Sequence, residues 1–233
     1  SGSRLTEGAV GDDVFIEFLP GFPNRIAIYG KEGNPRNLSP LPARDTIAAG
    51  GTSVLVAKVF YDDEWFSRYE IADTSTRFIS WEIDSLSGPA PAENLTDDLG
   101  HITRFKPENA FNLYRITARY RRNDISLSAS VRIYVEAGAP EQLVIEQSPD
   151  WSISPNNPRP YDPIVFNATE SVKYGYALLR DAFGNFAGYS TETDWRTRDS
   201  AIVTVDEGAR WQEGEGEIER IGDIGQTRII ARN

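Results

Sequence analysis

The sequence predicts an all-β protein, a β-sandwich built twice in tandem. Three observations predict it. Short alternating or β-branched runs recur between clusters of Gly, Pro, Asn and Asp, and almost nothing reads at helical period. Stretches of the first half also return, in the same order, in the second.

Taken along the chain, the candidate strands are Val14–Leu19, Arg25–Tyr29, Ser53–Phe60, Phe78–Ile83, Asn112–Tyr120 and Ser126–Val135 in the first half. The second half offers Gln142–Ile145, Tyr174–Arg180, Thr193–Arg196, Ala201–Val205, Glu217–Ile221 and Thr227–Arg232. Each is a run of apolar or β-branched side chains bounded by turn formers, the pattern of a half-buried strand. One stretch, Glu108-Asn109-Ala110, suggests a single helical turn.

The repeat fixes the organisation. Residues 131–145 (VRIYVEAGAPEQLVI) align without a gap on 14–28 (VFIEFLPGFPNRIAI), with Val131 on Val14, Ile133 on Ile16, Gly138 on Gly21, Pro140 on Pro23 and Ile145 on Ile28. Leu55-x-Ala57-x-Val59 matches Gly175-x-Ala177-x-Leu179, Trp81 matches Trp195, and residues 115–120 (RITARY) match 228–233 (RIIARN). A period of about 115 residues with many short strands is one immunoglobulin-sized Greek-key sandwich per repeat. The expected domains are 22–137 and 138–233, with 1–21 as an N-terminal segment. The joint, Glu136-Ala137-Gly138-Ala139-Pro140, is too short to be floppy, and its proline restricts two residues, so a semi-rigid elbow is expected.

By the same alignment Val14–Leu19 stands where the last strand of a preceding repeat would stand, and 138–233 lacks its own last strand. A spare strand and an open edge invite strand exchange, between copies or within one, because an edge exposes unpaired backbone donors and acceptors. The plainer expectation is that the N-terminal strand packs on the first domain.

Short patterns here resemble the bacterial immunoglobulin-like repeats of the invasin and intimin kind, found in tandem in large cell-surface proteins. Ala177-Leu178-Leu179-Arg180-Asp181-Ala182-Phe183-Gly184-Asn185 is similar to that family's strand ending in a D-x-x-G-N turn, and Trp195 follows on the next strand. Gly100-His101-Ile102-Thr103-Arg104-Phe105-Lys106-Pro107, leading into Tyr114-x-Ile116-Thr117-Ala118, resembles its G-x-x-T-F-x-P segment and Y-x-I-T-A strand. The first repeat departs from the pattern, with Tyr61-Asp62-Asp63-Glu64-Trp65-Phe66 where the turn would stand. The resemblance implies an exported, array-forming module without catalytic residues.

Composition narrows the function. Lys and Arg number 24 against 35 Asp and Glu, a formal charge of −11, the wrong sign for tracking phosphates or anionic lipid. No apolar run approaches the roughly 20 residues of a membrane helix, and Ser1-Gly2-Ser3 reads as a cloning remnant at the start of an excised soluble slice. With no Cys and no Met, thiolate chemistry and disulfides are absent, which leans toward an exported protein.

Reactive groups are scarce. The one histidine, His101, would have to serve any Ser-His-Asp triad, yet no nucleophile elbow accompanies it, and a loop histidine is the simpler reading. Carboxylates are too many for any pair to be singled out as a glycosidase dyad. The calcium candidates are Asp62, Asp63 and Glu64 in one loop and Asp97 and Asp98 in another, against the simpler reading of solvated acid. Gly214-x-Gly216 lacks the third glycine and the helix of a dinucleotide site.

Aromatic side chains make the best case for binding. Trp65, Phe66 and Tyr69 crowd the loop beside Asp62, Asp63 and Glu64, and Trp151, Pro155, Pro158, Pro160 and Tyr161 crowd another; such faces next to carboxylates suit a sugar ring or a protein hot spot. The simpler reading is that they cap a sandwich end or cushion the joint. Trp81 and Trp195, at matching strand positions, are expected in the core. The leading expectation is therefore a non-catalytic spacer of an extracellular adhesin or surface array, whose partners are neighbouring repeats. The alternative is a module binding a host or surface glycan or protein through Trp65, Phe66 and Tyr69.

Overall fold

The computed structural model describes residues 23–31, 38–40, 44–61, 69–70, 78–87, 95–96, 100–150, 163–207, 213–222 and 224–232. All regular structure among them is β. The N-terminal strands are β1 (Arg25–Lys31), β2 (Leu38–Pro40), β3 (Arg44–Ala48), β4 (Ser53–Tyr61), β5 (Tyr69–Glu70), β6 (Ile79–Ser85), β7 (Leu95–Thr96), β8 (Ile102–Phe105), β9 (Leu113–Arg122) and β10 (Ile125–Glu136). The C-terminal strands are β11 (Gln142–Glu146), β12 (Val172–Arg180), β13 (Phe186–Tyr189), β14 (Asp194–Thr197), β15 (Val203–Glu207), β16 (Glu215–Arg220) and β17 (Ile229–Arg232). The expected strand Val14–Leu19 lies outside the described residues.

The N-terminal strands form two sheets, β2-β1-β4-β8-β7 with β5 beside β4, and β3-β10-β9-β6. Both sheets feed one core. Ile26, Ile28, Leu55, Ala57, Val59 and Phe105 from the first meet Ile79, Trp81, Tyr114, Ile116, Ala118, Tyr120, Val131, Ile133 and Val135 from the second. The alternation that predicted β10 is the cause: Val131, Ile133 and Val135 share one face because successive side chains on a strand point to opposite faces. Strand β3 joins β10 in parallel, Arg44 opposite Arg132 through Ala48 opposite Glu136.

The C-terminal strands form β11-β12-β16-β15, with β13 beside β12, and the pair β14-β17. Their registers reproduce those of the N-terminal strands. Ile28 faces Ala57 as Ile145 faces Ala177, and Arg25 faces Phe60 as Gln142 faces Arg180. Likewise Trp81 faces Ala118 as Trp195 faces Ala231.

Both tryptophans are buried as expected, Trp81 at 4% and Trp195 at 8% exposure. They are held differently. The Trp81 indole N–H donates to the carbonyl of Gly100 at 2.7 Å. Trp195 lies in a slot made by the cross-strand pair Gly175 and Gly216, where a Cβ on Gly216 would stand 2.5 Å from Trp195 Cε2. Gly214, at φ +74°, turns the chain into β16 with no room for a Cβ beside the Ala177 carbonyl. Gly214-x-Gly216 is thus a packing device.

One expectation is corrected. Glu108-Asn109-Ala110 forms no helical turn. The carbonyl of Glu108 and the amide of Ala110 are taken instead by the side chain of Asn185, and Phe111 follows in the left-handed region at φ 62°.

Candidate functional site

The aromatic loop and its acids, Asp62, Asp63, Glu64, Trp65 and Phe66, lie outside the described residues, as do Asp97, Asp98, Trp151, Pro155, Pro158, Pro160 and Tyr161. Tyr69 begins β5, its backbone paired with Tyr61 of β4. His101 accepts the amide of Ala57 on its carbonyl at 2.8 Å, and its ring has no side-chain partner among the described residues. No group of three His, Asp or Glu side chains able to hold a metal occurs among them either.

The described residues converge elsewhere, on the joint between the N-terminal and C-terminal sheets. Strand β12 ends in Arg180, and the chain reverses through Asp181-Ala182-Phe183-Gly184-Asn185 into β13. Gly184 supplies the left-handed residue this reversal needs, at φ 83°. Asp181 organises the turn. Its Oδ1 accepts the amides of Phe183 and Asn185, each at 2.9 Å, and its Oδ2 accepts Asn185 Nδ2 and the amide of Gly138, each at 2.8 Å. An aspartate after a strand commonly satisfies nearby backbone donors this way, and here it also ties the turn to the connecting peptide.

Beneath the turn lies a buried ion pair. Arg180 has no exposed surface, and its Nε donates to Glu146 Oε1 of β11 at 3.0 Å while Nη1 donates to the Gly184 carbonyl at 2.8 Å. A buried guanidinium requires such partners, because a charge left without them in a low-dielectric interior is strongly destabilising. The charge therefore locks β11 and the turn together.

Asn185, fully buried, completes the joint. Its Oδ1 accepts the amide of Ala110 at 3.1 Å, and its Nδ2 donates to the carbonyl of Glu108 at 2.7 Å as well as to Asp181. An amide offers one acceptor and two donors, and only a side chain with both can serve an N–H and a C=O of the same facing segment. Phe183 covers the joint from the side. Its ring packs on Gly50, where a Cβ would come within 2.6 Å of Phe183 Cε2. Gly50 itself, at φ 79°, donates to the Pro107 carbonyl at 2.7 Å.

The sequence had marked both halves of this joint, the Asp181–Asn185 turn and the Glu108–Ala110 stretch, without bringing them together. They lie 75 residues apart at the Ala110–Asn185 bond, and no local pattern carries so distant a pairing. The useful signal was the conjunction of a turn rich in polar side chains with a short proline-limited connection, which obliges neighbouring units to touch.

A second feature is an open edge. Among the described residues β17 pairs only with β14. Its Ile229, Ile230 and Ala231 are half-buried, whereas Ile116 and Ala118 of β9, which β10 flanks, have 0% exposure. Just before β17, Ile224 is 96% exposed.

No family model and no curated protein matches this chain. Among solved structures, the apo form of Bacteroides uniformis beta-glucuronidase 3 matches at 11% identity and a TM-score of 0.26, over 91% of this chain and 25% of that one. Parabacteroides merdae beta-glucuronidase matches at 11% identity and a TM-score of 0.25, over 91% of this chain and 24% of that one. The chain spans about a quarter of the length of these proteins.

Proposed function

We propose that this chain is a pair of tandem immunoglobulin-like sandwich modules, residues 22–137 and 138–233, serving as a semi-rigid, non-catalytic spacer in a bacterial cell-surface adhesin or array protein. The repeated sheet registers and the parallel pairing of β3 with β10 support the tandem reading. One observation carries the spacer reading: Asn185 bridges Glu108 and Ala110 of the first module while its own turn grips the connecting peptide through Asp181 and Gly138. A spacer must transmit orientation from one module to the next, and a buried polar network does so because bending it strands its donors and acceptors. A flexible tether needs no such contacts.

The test is small-angle X-ray scattering on the purified chain. A compact protein of 233 residues has a radius of gyration of about 17 Å. Two modules end to end, each about 30–40 Å long at about 3.3 Å per strand residue, give a clearly larger value and a rod-like distance distribution. A radius near the compact value, or a profile of two freely pivoting bodies, overturns the spacer reading.

A further inference from the structure

We propose that the outer face of the sheet β3-β10-β9-β6 binds an acidic polysaccharide, a glycan chain bearing carboxylates, through the cross-strand row Arg44, Arg132 and Arg115. The proposal concerns the N-terminal strands alone and stands whether or not the chain is a spacer.

Register sets the row. Arg132 of β10 lies opposite Arg44 of β3 on one side and opposite Arg115 of β9 on the other. Val131, Ile133 and Val135 take the buried face of β10, and Ile47 of β3 packs on the same core, so the three arginines project from the outer face. Arg44 and Arg132 are exposed and Arg115 is half-buried. Neighbouring strands lie about 4.7–4.9 Å apart, which brings three guanidinium-bearing side chains out of the sheet within about 10 Å.

Such a row costs the fold stability. Like charges directly opposite each other destabilise a sheet, and this row sets them so twice in a chain whose 35 acidic residues outnumber its 24 basic ones. The nearby acids do not relieve it. Glu82 of β6 has its Oε2 2.8 Å from Nε of Arg119. Asp84 stands opposite Arg115 at the end of the row, yet among the described residues it makes no ion pair. Arg44 lies over the ring of Tyr134 at 5.5 Å, and Arg132 and Arg115 have no ionic partner among the described residues. A local arrangement that works against the fold and carries no internal compensation is the mark of a functional surface.

The chemistry of the face selects the occupant. A guanidinium presents paired N–H donors that match the two oxygens of a carboxylate. Beside the row on one side stand Tyr134, half-buried, and Thr46, exposed; on the other stands Ser130, exposed and bonded to Thr117 Oγ1 at 2.9 Å. An aromatic ring and a run of hydroxyls on a flat sheet suit the ring faces and hydroxyls of sugars. An acidic protein partner would instead be anchored by large apolar side chains in desolvated pockets. The outer positions of β10 leading to the row are Ser126, Ser128 and Ser130, exposed and polar throughout.

The test couples binding to stability. In isothermal titration calorimetry the native chain is expected to bind polygalacturonate, with an affinity that falls as salt is raised, and to bind neutral dextran and polyglutamate more weakly. Arg132→Gln is expected to weaken polygalacturonate binding by at least about tenfold, the loss of one charged hydrogen-bonding group. Arg132→Glu is expected to abolish binding and also to raise the melting temperature by about 1–4 °C, because it sets a carboxylate between Arg44 and Arg115. A row that served the fold would make that variant melt lower, and this result overturns the proposal. Absence of binding, binding that survives Arg132→Glu, or equal binding of dextran overturns it too. Equal binding of polyglutamate does the same and assigns the face to acidic proteins.

Discussion

Glycine decides how the second core is built. Where the N-terminal sheets set Leu55 opposite Thr103, the C-terminal sheets set Gly175 opposite Gly216, and the indole of Trp195 lies against both glycines. A methyl group at residue 216 would meet the ring at 2.5–2.8 Å on three atoms, and the ring is buried. Gly216→Ala is therefore expected to destabilise the C-terminal sheets by about 1–3 kcal/mol, the usual cost of overpacking a filled core. Urea denaturation measures the loss, and a changed near-ultraviolet signal from the displaced indole identifies its origin. If stability is unchanged, the slot is looser than its geometry states. Thr103→Ala in the N-terminal sheets tests something else, because Thr103 Oγ1 donates to the Thr96 carbonyl and ties β8 to β7.

Among the elements, the turn that leads into β12 is governed by charge. The amide of Asn167 donates to Glu170 Oε2 at 2.7 Å, and Lys173 Nζ stands 3.2 Å from the same oxygen. The backbone bond, followed by the bond to Lys173, holds the Glu170 carboxyl below the ordinary glutamate value. A carboxyl depressed in the folded chain stabilises the turn above its ordinary titration range, and that contribution is lost as pH falls through the folded value. An NMR titration is expected to find Glu170 depressed, and Lys173→Ala to move it only part of the way back, since the larger cause is the backbone. A full return to the ordinary value on Lys173→Ala would mean that the turn is not formed in solution. Legibility at this scale followed strand length and amphipathicity. Strands β4, β9, β10 and β12, long and alternating, were predicted within a few residues, as were β6, β11 and β14. Strands β2, β3, β5, β7, β8 and β13 were not among the candidate strands; two to five residues declare a period only weakly, and β11 and β14, equally short, were found through their matches in the repeat. Glu108–Ala110 misled for another reason, since its backbone groups bond to Asn185, which no local window contains.

At the scale of the molecule, the joint determines whether the chain behaves as one body or two. No hydrogen-bonded strand pair joins strands β1–β10 to strands β11–β17 among the described residues, so coupling falls to side chains and to the connecting peptide. Asn185 is the central member, because it bonds to both the Ala110 amide and the Glu108 carbonyl and also to Asp181. Truncation in Asn185→Ala removes the acceptor of the buried Ala110 amide, at a cost of about 1–3 kcal/mol unless water enters. The expected result is local: hydrogen exchange at the Ala110 amide accelerates by at least about tenfold, the equivalent of about 1.4 kcal/mol, while the amides of Ile116 and Ile133 in the first core exchange as before. If the two-module reading holds, small-angle scattering on the same variant is expected to show a broadened distance distribution with the chain still folded. Unchanged protection at Ala110 would mean that Phe183 on Gly50 and the Gly138–Asp181 bond hold the joint without Asn185. Loss of protection throughout the first module would mean that the joint is part of that module's fold, and the two halves would then be one cooperative unit.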